Sequence, residues 1–264
     1  MHTKRCMHAS GSDEEYVKAA IANGYEEIGF SDHTPWHYDT KFEAHMRMKE
    51  EQFQGYYDSI MELKQKYQNQ ISIKIGLECE YFPKYMDWLK KLIQNYHLDY
   101  IILGNHYYKT DENRIYFGTA CEEDAMLIAY VDEAIEAMKT GMYAYLAHPD
   151  LFMRGRRVFD ELAREQSIRL CVAAKELQIP LEYNLAGAQY NDVMHTMQYP
   201  HTEFWKIAAQ VGNIGIIGVD AHEPAALLQD TYRNQGIALF EELGITMTDT
   251  IPFFNGALNY RRVS

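Results

Sequence analysis

A short apolar run that ends in a polar or ionisable residue and is followed by a helical stretch recurs along this chain of 264 residues. The runs are largely apolar and rich in β-branched residues, which is typical of strands buried on both faces of a sheet. They lie at residues 27–30, 71–75, 100–103, 142–146, 180–183 and 214–219. Strands that alternate with helices indicate parallel βαβ units, so the sequence predicts an α/β protein.

Helical patterns occupy the intervals between these runs. Ser12 and Glu15 form a capping-box pattern that predicts a helix over residues 13–23, which Gly24 ends. Apolar residues at helical spacing predict further helices over residues 50–68, 122–139, 157–177 and 224–243. A seventh strand is expected before the first helix, although few residues are available there. Seven units predict a closed, distorted barrel in a single domain, residues 1–264, because no glycine-rich phosphate loop supports an open doubly wound sheet.

Charge and composition narrow the range of partners. The chain has 25 Lys and Arg against 38 Asp and Glu, a net charge of −13, which disfavours binding to the phosphate backbone of nucleic acids. No apolar run approaches the roughly 18 residues of a membrane span, and the N-terminus lacks the apolar segment of a secretion signal. The four cysteines form no CxxC pair. We therefore expect a cytoplasmic protein with a small soluble substrate, and we make no prediction of oligomeric state.

Metal-binding residue types stand at the ends of the predicted strands. Strand ends converge on one face of a (β/α) barrel, where active sites are built. One histidine beside a strand is more often a buried, hydrogen-bonded side chain, but six at equivalent strand ends favour a metal centre, since imidazole and carboxylate together bind Zn, Fe or Mn. The other histidines, His45 among them, lie in predicted loops or helices and reach the rim of the site at most. The strand-end residues are His2, His8, Asp32, His33, Glu78, Glu80, His106, His148, Asp150, Glu182, Asn184, Asp220 and His222.

Six motifs occur in a characteristic order along nearly the whole chain. They are HTKRCMH at residues 2–8, FSDHTP at 30–35, GLECEY at 76–81, GNH at 104–106, LAHPD at 146–150 and GVDAH at 218–222. In this order they resemble the polymerase-and-histidinol-phosphatase (PHP) superfamily, in particular its stand-alone histidinol-phosphatase-like branch. The resemblance implies a distorted (β/α)7 TIM-like barrel that holds two to three divalent metal ions, Zn, Fe or Mn.

The resemblance also implies the roles of individual residues. Glu78 would be a bridging carboxylate, and Glu80 would lie behind the ligands. The implied reaction is hydrolysis of a phosphomonoester by a metal-bridging hydroxide, with Asp220 or His222 passing a proton to the leaving group and Glu78 as the third catalytic residue. The candidate substrate is L-histidinol phosphate, an intermediate of histidine biosynthesis. The implied metal ligands are His2, His8, His33, Glu78, His106, His148, Asp220 and His222.

Two positions depart from the family pattern. Met1 stands in the middle of the family's His-x-His pair, so the first histidine has no counterpart in this sequence. We expect either a start upstream of Met1 or the loss of one ligand, and with it a weakly held His2 and a partly occupied metal site beside it. Gln189 stands where close relatives carry an arginine that can bind phosphate.

Other side chains can replace that arginine in binding the substrate. Arginine pairs with phosphate in a bidentate manner, whereas Gln189 offers hydrogen bonds without charge. The aromatic residues near these loops are predicted to form the wall of the pocket, and they are Trp36, Tyr38, Tyr107 and Tyr108. The predicted substrate-binding residues are Arg47, Arg154, Arg156, Arg157 and Gln189.

Two other functions stay open from the sequence. The first is a metal-dependent amidohydrolase or deaminase, which also builds its site at a histidine-rich barrel mouth, although the Asp-His and Asp-x-His arrangement here argues against it. The second is a catalytically weakened metal-binding barrel with a binding or regulatory role. Hydrolysis of a phosphate monoester with added metal, and its loss in His148→Ala, would separate these functions from a phosphatase.

Overall fold

Parallel strands with helices between them form the fold. The computed structural model describes residues 1–256 and 258. Its strands pair in two three-stranded parallel sheets, in the orders β1-β2-β3 and β4-β5-β6. The predicted α/β class with parallel strands is thus confirmed. The strands are β1 (Glu27–His33), β2 (Ser72–Cys79), β3 (Tyr100–Leu103), β4 (Leu181–Asn184), β5 (Ile214–Gly218) and β6 (Thr246–Met247).

Leu146 connects the two sheets. It forms parallel bridges with Leu103 of β3 on one side and with Leu181 of β4 on the other. The strand predicted over residues 142–146 is therefore reduced to a single bridging residue in the described chain. The order of strands nevertheless continues from β3 through Leu146 to β4.

The start of the chain lies between β1 and the end of β5. Ser31 N of β1 donates a hydrogen bond to Met1 O over 2.9 Å, and His2 N donates to Ala221 O over 2.9 Å. Met1 and His2 thus occupy the place of the predicted first strand. His2 is buried, and its ring lies beside Glu78 and Asp220, so the start of the chain packs into the fold. Partial occupancy of the metal site beside His2 stays a prediction.

Helices follow each of the strands from β1 to β5. The Ser12 and Glu15 capping box that opens the first helix is confirmed, with Glu15 N donating to Ser12 Oγ and Ser12 N donating to Glu15 Oε2. Two predicted helices are shorter than expected, because residues 50–52 and 224–228 form 3₁₀ turns instead. The helices are α1 (Asp13–Ala22), α2 (Phe53–Lys66), α3 (Met86–Tyr96), α4 (Phe117–Ala120), α5 (Asp124–Lys139), α6 (Glu161–Glu176), α7 (Leu185–Met194), α8 (Thr202–Val211) and α9 (Thr231–Leu243).

The ring of Tyr100 packs against the backbone of β1 and β2. The Tyr100 hydroxyl donates to Phe30 O over 3.1 Å, and the ring crosses the backbone of Gly29 and Gly76. A Cβ atom added at Gly29 would lie 2.1 Å from the Tyr100 hydroxyl, so the strands require glycine where the ring crosses them. Over the described residues, we find no helix whose length and apolar character would let it cross a membrane.

Candidate metal centre

Glu78, near the end of β2, lies at the centre of a cluster of imidazoles and is only 3% exposed. Its Oε2 atom lies 3.1 Å from His2 Nε2 and 3.4 Å from His33 Nδ1. Its Oε1 atom lies 3.2 Å from His106 Nε2 and 3.1 Å from His148 Nε2. Each oxygen of this one carboxylate therefore faces its own pair of imidazoles, which is an arrangement suited to a carboxylate shared between two cations.

The residues beyond β5 complete the cluster. Asp220 Oδ1 lies 3.0 Å from His2 Nε2, and His222 Nε2 lies 3.0 Å from His8 Nε2. Asp220 has a φ of 49° and His148 a φ of 31°, left-handed values that are rare for side chains other than glycine and that often occur at functional sites. The structure thus brings together all eight of the side chains that the sequence suggested as metal ligands.

The second ring nitrogen of several histidines is held by a hydrogen-bond acceptor. His106 Nδ1 lies 3.1 Å from Glu80 Oε1, His8 Nδ1 lies 2.8 Å from Cys6 O, and His222 Nδ1 lies 2.9 Å from Asp220 O. These contacts assign the proton to Nδ1 in each ring, which leaves the Nε2 lone pair directed towards the cluster. Metal-binding histidines are oriented in the same way.

The donor set fits divalent metal ions. Two pairs of Nε2 atoms face each other, at 3.2 Å between His106 and His148 and at 3.0 Å between His8 and His222. Two lone pairs at this distance repel unless a cation or a proton lies between them. His33 Nδ1 is buried and has no hydrogen-bond partner. Since imidazole and carboxylate are the ligands of Zn, Fe and Mn, the geometry supports the use of divalent metal.

The cluster holds its carboxylates in the ionised form. Burial raises the pKa of the Glu78 carboxyl, but the charges of His106 and His33 outweigh it, and the pKa falls well below its usual range. For Asp220, burial is likewise outweighed by the His2 hydrogen bond, so its pKa is also lowered. Burial lowers the pKa of His106, yet Glu78 and Glu80 raise it to about 9. The carboxylates of Glu78 and Asp220 are thus ionised and available to bind cations.

Arg47 does not reach the cluster, and its predicted role in substrate binding needs correction. It is 1% exposed, and its guanidinium donates to both oxygens of Glu80, at 3.0 and 2.7 Å. Its Nε lies 3.0 Å from Asp111 Oδ2. The guanidinium is thus buried between two carboxylates, and Arg47 does not line the cavity above the cluster. Arg47 instead holds Glu80 in place behind His106.

Of the three arginines at residues 154–157, Arg154 alone lines the cavity above the cluster. Its guanidinium lies 5.8 Å from the ring centre of Tyr116 and 5.6 Å from that of Tyr190. Arg156 is paired with Asp160 and Asp124 and points away from the cavity, and Arg157 is exposed and does not line it. The loop that was predicted to bind phosphate thus offers one suitable side chain.

A cavity of about 460 Å³ lies directly above the cluster, and we call it the main cavity because it opens onto the cluster. Tyr107 lines it, whereas Trp36, Tyr38 and Tyr108, which were also predicted to form the wall, do not. Tyr116, Tyr190 and Tyr199 also line it without any local sequence signal, because their places on this wall depend on how distant segments fold together. The lining residues outside the cluster are His45, Met46, Tyr107, Tyr116, Leu151, Arg154, Ala186, Tyr190 and Tyr199.

Glu182 on β4 is a buried carboxylate to which the sequence analysis gave no role. Its Oε2 accepts hydrogen bonds from His148 N and from Asn184 Nδ2, each over 2.9 Å. Burial raises the pKa of this carboxyl to about 7. Glu182 thus fixes the backbone of His148 below the cluster, and its position at a strand end was the only sequence signal for it.

A second cavity, of about 280 Å³, adjoins the cluster on the side of His8 and His222, and we call it the polar cavity. Gln189 lines the polar cavity and not the main one. The two cavities share His8, Asp220 and His222 as walls. The other residues that line the polar cavity are Ser10, Leu185, Ala186, Gln189, Val219, Glu223, Ala226, Gln229 and Tyr232.

Comparisons with known proteins agree with the fold and the motifs. A family model described as "PHP domain" matches residues 1–186. The "Probable histidinol-phosphatase" of Deinococcus radiodurans is 27% identical over 231 residues, 85% of each chain. The "Histidinol-phosphatase" of Bacillus subtilis is 29% identical over 119 residues, 43% of this chain and 44% of that one. The histidinol phosphate phosphatase of Lactococcus lactis, solved with zinc, L-histidinol and phosphate, shares the fold with a TM-score of 0.68 at 19% identity, over 97% of both chains.

Proposed function

The chain belongs to the PHP domain family, and on this basis we propose that it is a metal-dependent phosphatase that hydrolyses L-histidinol phosphate to L-histidinol and phosphate. The relatives named histidinol-phosphatase support this substrate. The structural neighbour solved with zinc, L-histidinol and phosphate supports both the metal and the products.

One observation carries the proposal. The carboxylate of Glu78 faces His2 and His33 with one oxygen, and His106 and His148 with the other. A carboxylate that bridges two cations needs this distribution of ligands, and two-metal sites of this type are common in enzymes that transfer phosphoryl groups.

We assign two to three divalent ions, Zn, Fe or Mn, to the cluster. Glu78 would bridge two of the ions. When bound, the ions lower the pKa of water and neutralise the charge of the phosphoryl oxygens. The other ligands would be His2, His8, His33, His106, His148, Asp220 and His222.

Other residues of the chain act on the substrate. Arg154 lines the main cavity and pairs with the phosphate. Asp220 Oδ2 accepts a hydrogen bond from Asn184 Nδ2 over 3.1 Å, and it lies beside His222 at the wall between the cavities. Asp220 or His222 would take up the proton that the attacking water loses and pass it to the leaving alkoxide. Gln189 donates hydrogen bonds to the substrate from the polar cavity.

The strands are proposed to form a distorted (β/α)7 TIM-like barrel within a single domain. Leu146 links the two sheets on one side. On the other side, Met1 and His2 hydrogen-bond to both Ser31 and Ala221. These contacts support a ring in which β1 and β5 are joined through the start of the chain.

The test is phosphate release from L-histidinol phosphate by the purified protein with added Zn, Fe or Mn. We expect metal-dependent release, and its loss in His148→Ala with the fold retained by circular dichroism. A metal-loaded protein that releases no phosphate from L-histidinol phosphate, but hydrolyses an amide or an amine, would contradict the proposal.

A further inference from the structure

The polar cavity contains a carboxylate that has no partner. Glu223 directly follows His222, and its exposed side chain lines this cavity. The carboxylate of Glu223 caps no backbone group of the 3₁₀ turn that follows, and this carboxylate forms no hydrogen bond or ion pair with any other residue in the described ranges 1–256 and 258. The carboxylates of Glu78 and Glu80, in contrast, are engaged by imidazoles and by Arg47. Glu223 is therefore free to bind a ligand.

The two cavities beside the cluster differ in charge. The main cavity has the guanidinium of Arg154 on its wall. The polar cavity has neither lysine nor arginine among the described residues that line it, and its uncharged polar groups come from Ser10, Gln189, Gln229 and Tyr232. Because both cavities share the walls formed by the cluster, a molecule bound at the cluster can place an anionic group near Arg154 and a cationic group near Glu223.

The backbone around Glu223 is held in a fixed position. Ser10 N donates to His222 O over 2.8 Å, which ties the first loop of the chain to the segment that carries Glu223. Gly11, with a φ of 83°, packs against Pro224, and a Cβ atom there would lie 2.6 Å from Pro224 Cγ. The carboxylate thus starts from a rigid backbone next to His222, which reduces the entropic cost of binding.

We propose that Glu223 binds the ammonium group of the substrate in the polar cavity. The inference rests on the proposed function, because L-histidinol phosphate carries a primary ammonium on the carbon next to its phosphorylated carbon. The phosphate and the ammonium are therefore recognised on neighbouring parts of the site. A carboxylate and an ammonium form a charge-assisted hydrogen bond, so Glu223 selects phosphomonoesters of amino alcohols over phosphomonoesters without an amine.

The test compares two substrates in the wild type and in three variants. The substrates are L-histidinol phosphate and the analogue that lacks the amino group. We expect Glu223→Gln to raise KM for L-histidinol phosphate about tenfold or more, with kcat nearly unchanged and the analogue unaffected. Glu241→Gln removes the same charge from an exposed position on α9 and should change KM and kcat for neither substrate. Glu223→Asp, which keeps the charge, should recover part of the discrimination.

In Glu223→Gln, an equal change of KM for the two substrates, or no change of KM for either, would overturn the inference. A wild-type protein that does not hydrolyse L-histidinol phosphate would refute the proposed function, and the role of Glu223 is then decided by calorimetry. In that measurement, L-histidinol and its deamino analogue are titrated into the metal-loaded protein. Tighter binding of the amine in wild type but not in Glu223→Gln supports the inference, and equal binding of the two alcohols in wild type refutes it.

Discussion

Glu80 Oε1 lies 3.1 Å from Nδ1 of His106, while Nε2 of the same ring lies 3.2 Å from Glu78 Oε1. The imidazole therefore stands between the two carboxylates of the GLECEY motif. Trp36 Nε1 and Arg47 also donate to Glu80. One carboxylate faces the cluster, and the other fixes the orientation of a ring that forms the cluster.

Glu78→Gln is expected to abolish phosphatase activity and to remove more metal than Glu80→Gln does. The amide at position 78 cannot bridge two cations, whereas the change at position 80 acts on the metal only through the orientation of His106, although it also removes the charge that pairs with Arg47. Loss of such an orienting contact weakens metal binding about 10- to 100-fold. Elemental analysis after dialysis against buffers of fixed free metal measures the difference, and equal metal loss in the two variants would contradict the assignment.

Arg47→Met is expected to reduce the free energy of unfolding by about 3–5 kcal/mol, because Glu80 and Asp111 would stay buried without their cation. Arg156→Met is the matched control. Arg156 pairs with Asp124 and Asp160, which are exposed, so its loss should cost no more than about 1 kcal/mol. Urea unfolding measures both. A stable Arg47→Met protein with a strongly raised KM would restore the role in substrate binding that the sequence suggested.

Most of the candidate ligands follow an apolar run that predicts a strand, and the resemblance to the PHP superfamily implied the set as a whole. The apolar run before Glu78 or His106 predicts a strand. Because the strands are parallel, the side chains that follow them lie together at the carboxyl ends of the strands. The role of Arg47 could not be predicted, because its partners Glu80 and Asp111 are distant in the sequence and meet it only in the folded chain. For the same reason, the sequence could not show that Arg154 lines the main cavity whereas Arg156 does not.

Helices α3 and α8 were missed because their first residues lack the usual capping signals, and α7 was missed because it follows a strand directly. In α3, Tyr85 is the N-cap residue and its side chain caps no backbone group, and in α8 this position is held by His201. In α7, Asn184 ends β4 and also caps the helix by accepting from Gly187 N, so strand and helix meet without a loop. Residues 142–146 have the apolar pattern of a buried strand, but within the described chain only Leu146 forms β-bridges, with Leu103 and Leu181.

Arg154→Ala is expected to lower kcat/KM for L-histidinol phosphate about 30- to 150-fold, because the phosphate would lose its charged partner in the main cavity. This decrease corresponds to a loss of about 2–3 kcal/mol in the binding of the transition state. Arg156→Ala and Arg157→Ala should retain wild-type values, since neither side chain lines that cavity. Steady-state kinetics of the three variants test this. Wild-type efficiency in Arg154→Ala would mean that another group binds the phosphate.

Glu133 on α5 is expected to make stability depend on pH. Burial raises the pKa of its carboxyl to about 7, although Lys109 N donates to it. The folded state thus binds the proton more tightly than the unfolded state, and stability falls as pH rises from about 4.5 to 7. Glu133→Gln should stabilise the protein at pH 8 by about 1 kcal/mol, after allowance for partial exposure, and not at pH 4. Thermal unfolding at both pH values measures this. Glu136→Gln, at an exposed position, is the control.

Gly104→Ala is expected to damage the metal centre without unfolding the protein. A Cβ atom at this position, directly after β3, would lie 2.2 Å from Glu78 Oε1 and 2.5 Å from His106 Cε1, closer than real Cβ contacts. Both side chains must then shift, and a misplacement of about 1 Å in an active site can cost about 100-fold in rate. Metal content and kcat/KM should fall together while the circular dichroism spectrum stays unchanged. Gly55→Ala on α2 meets no atom within 4 Å and should keep full activity with up to about 1 kcal/mol of added stability. Full metal content and activity in Gly104→Ala would show that Glu78 and His106 do not need their observed positions.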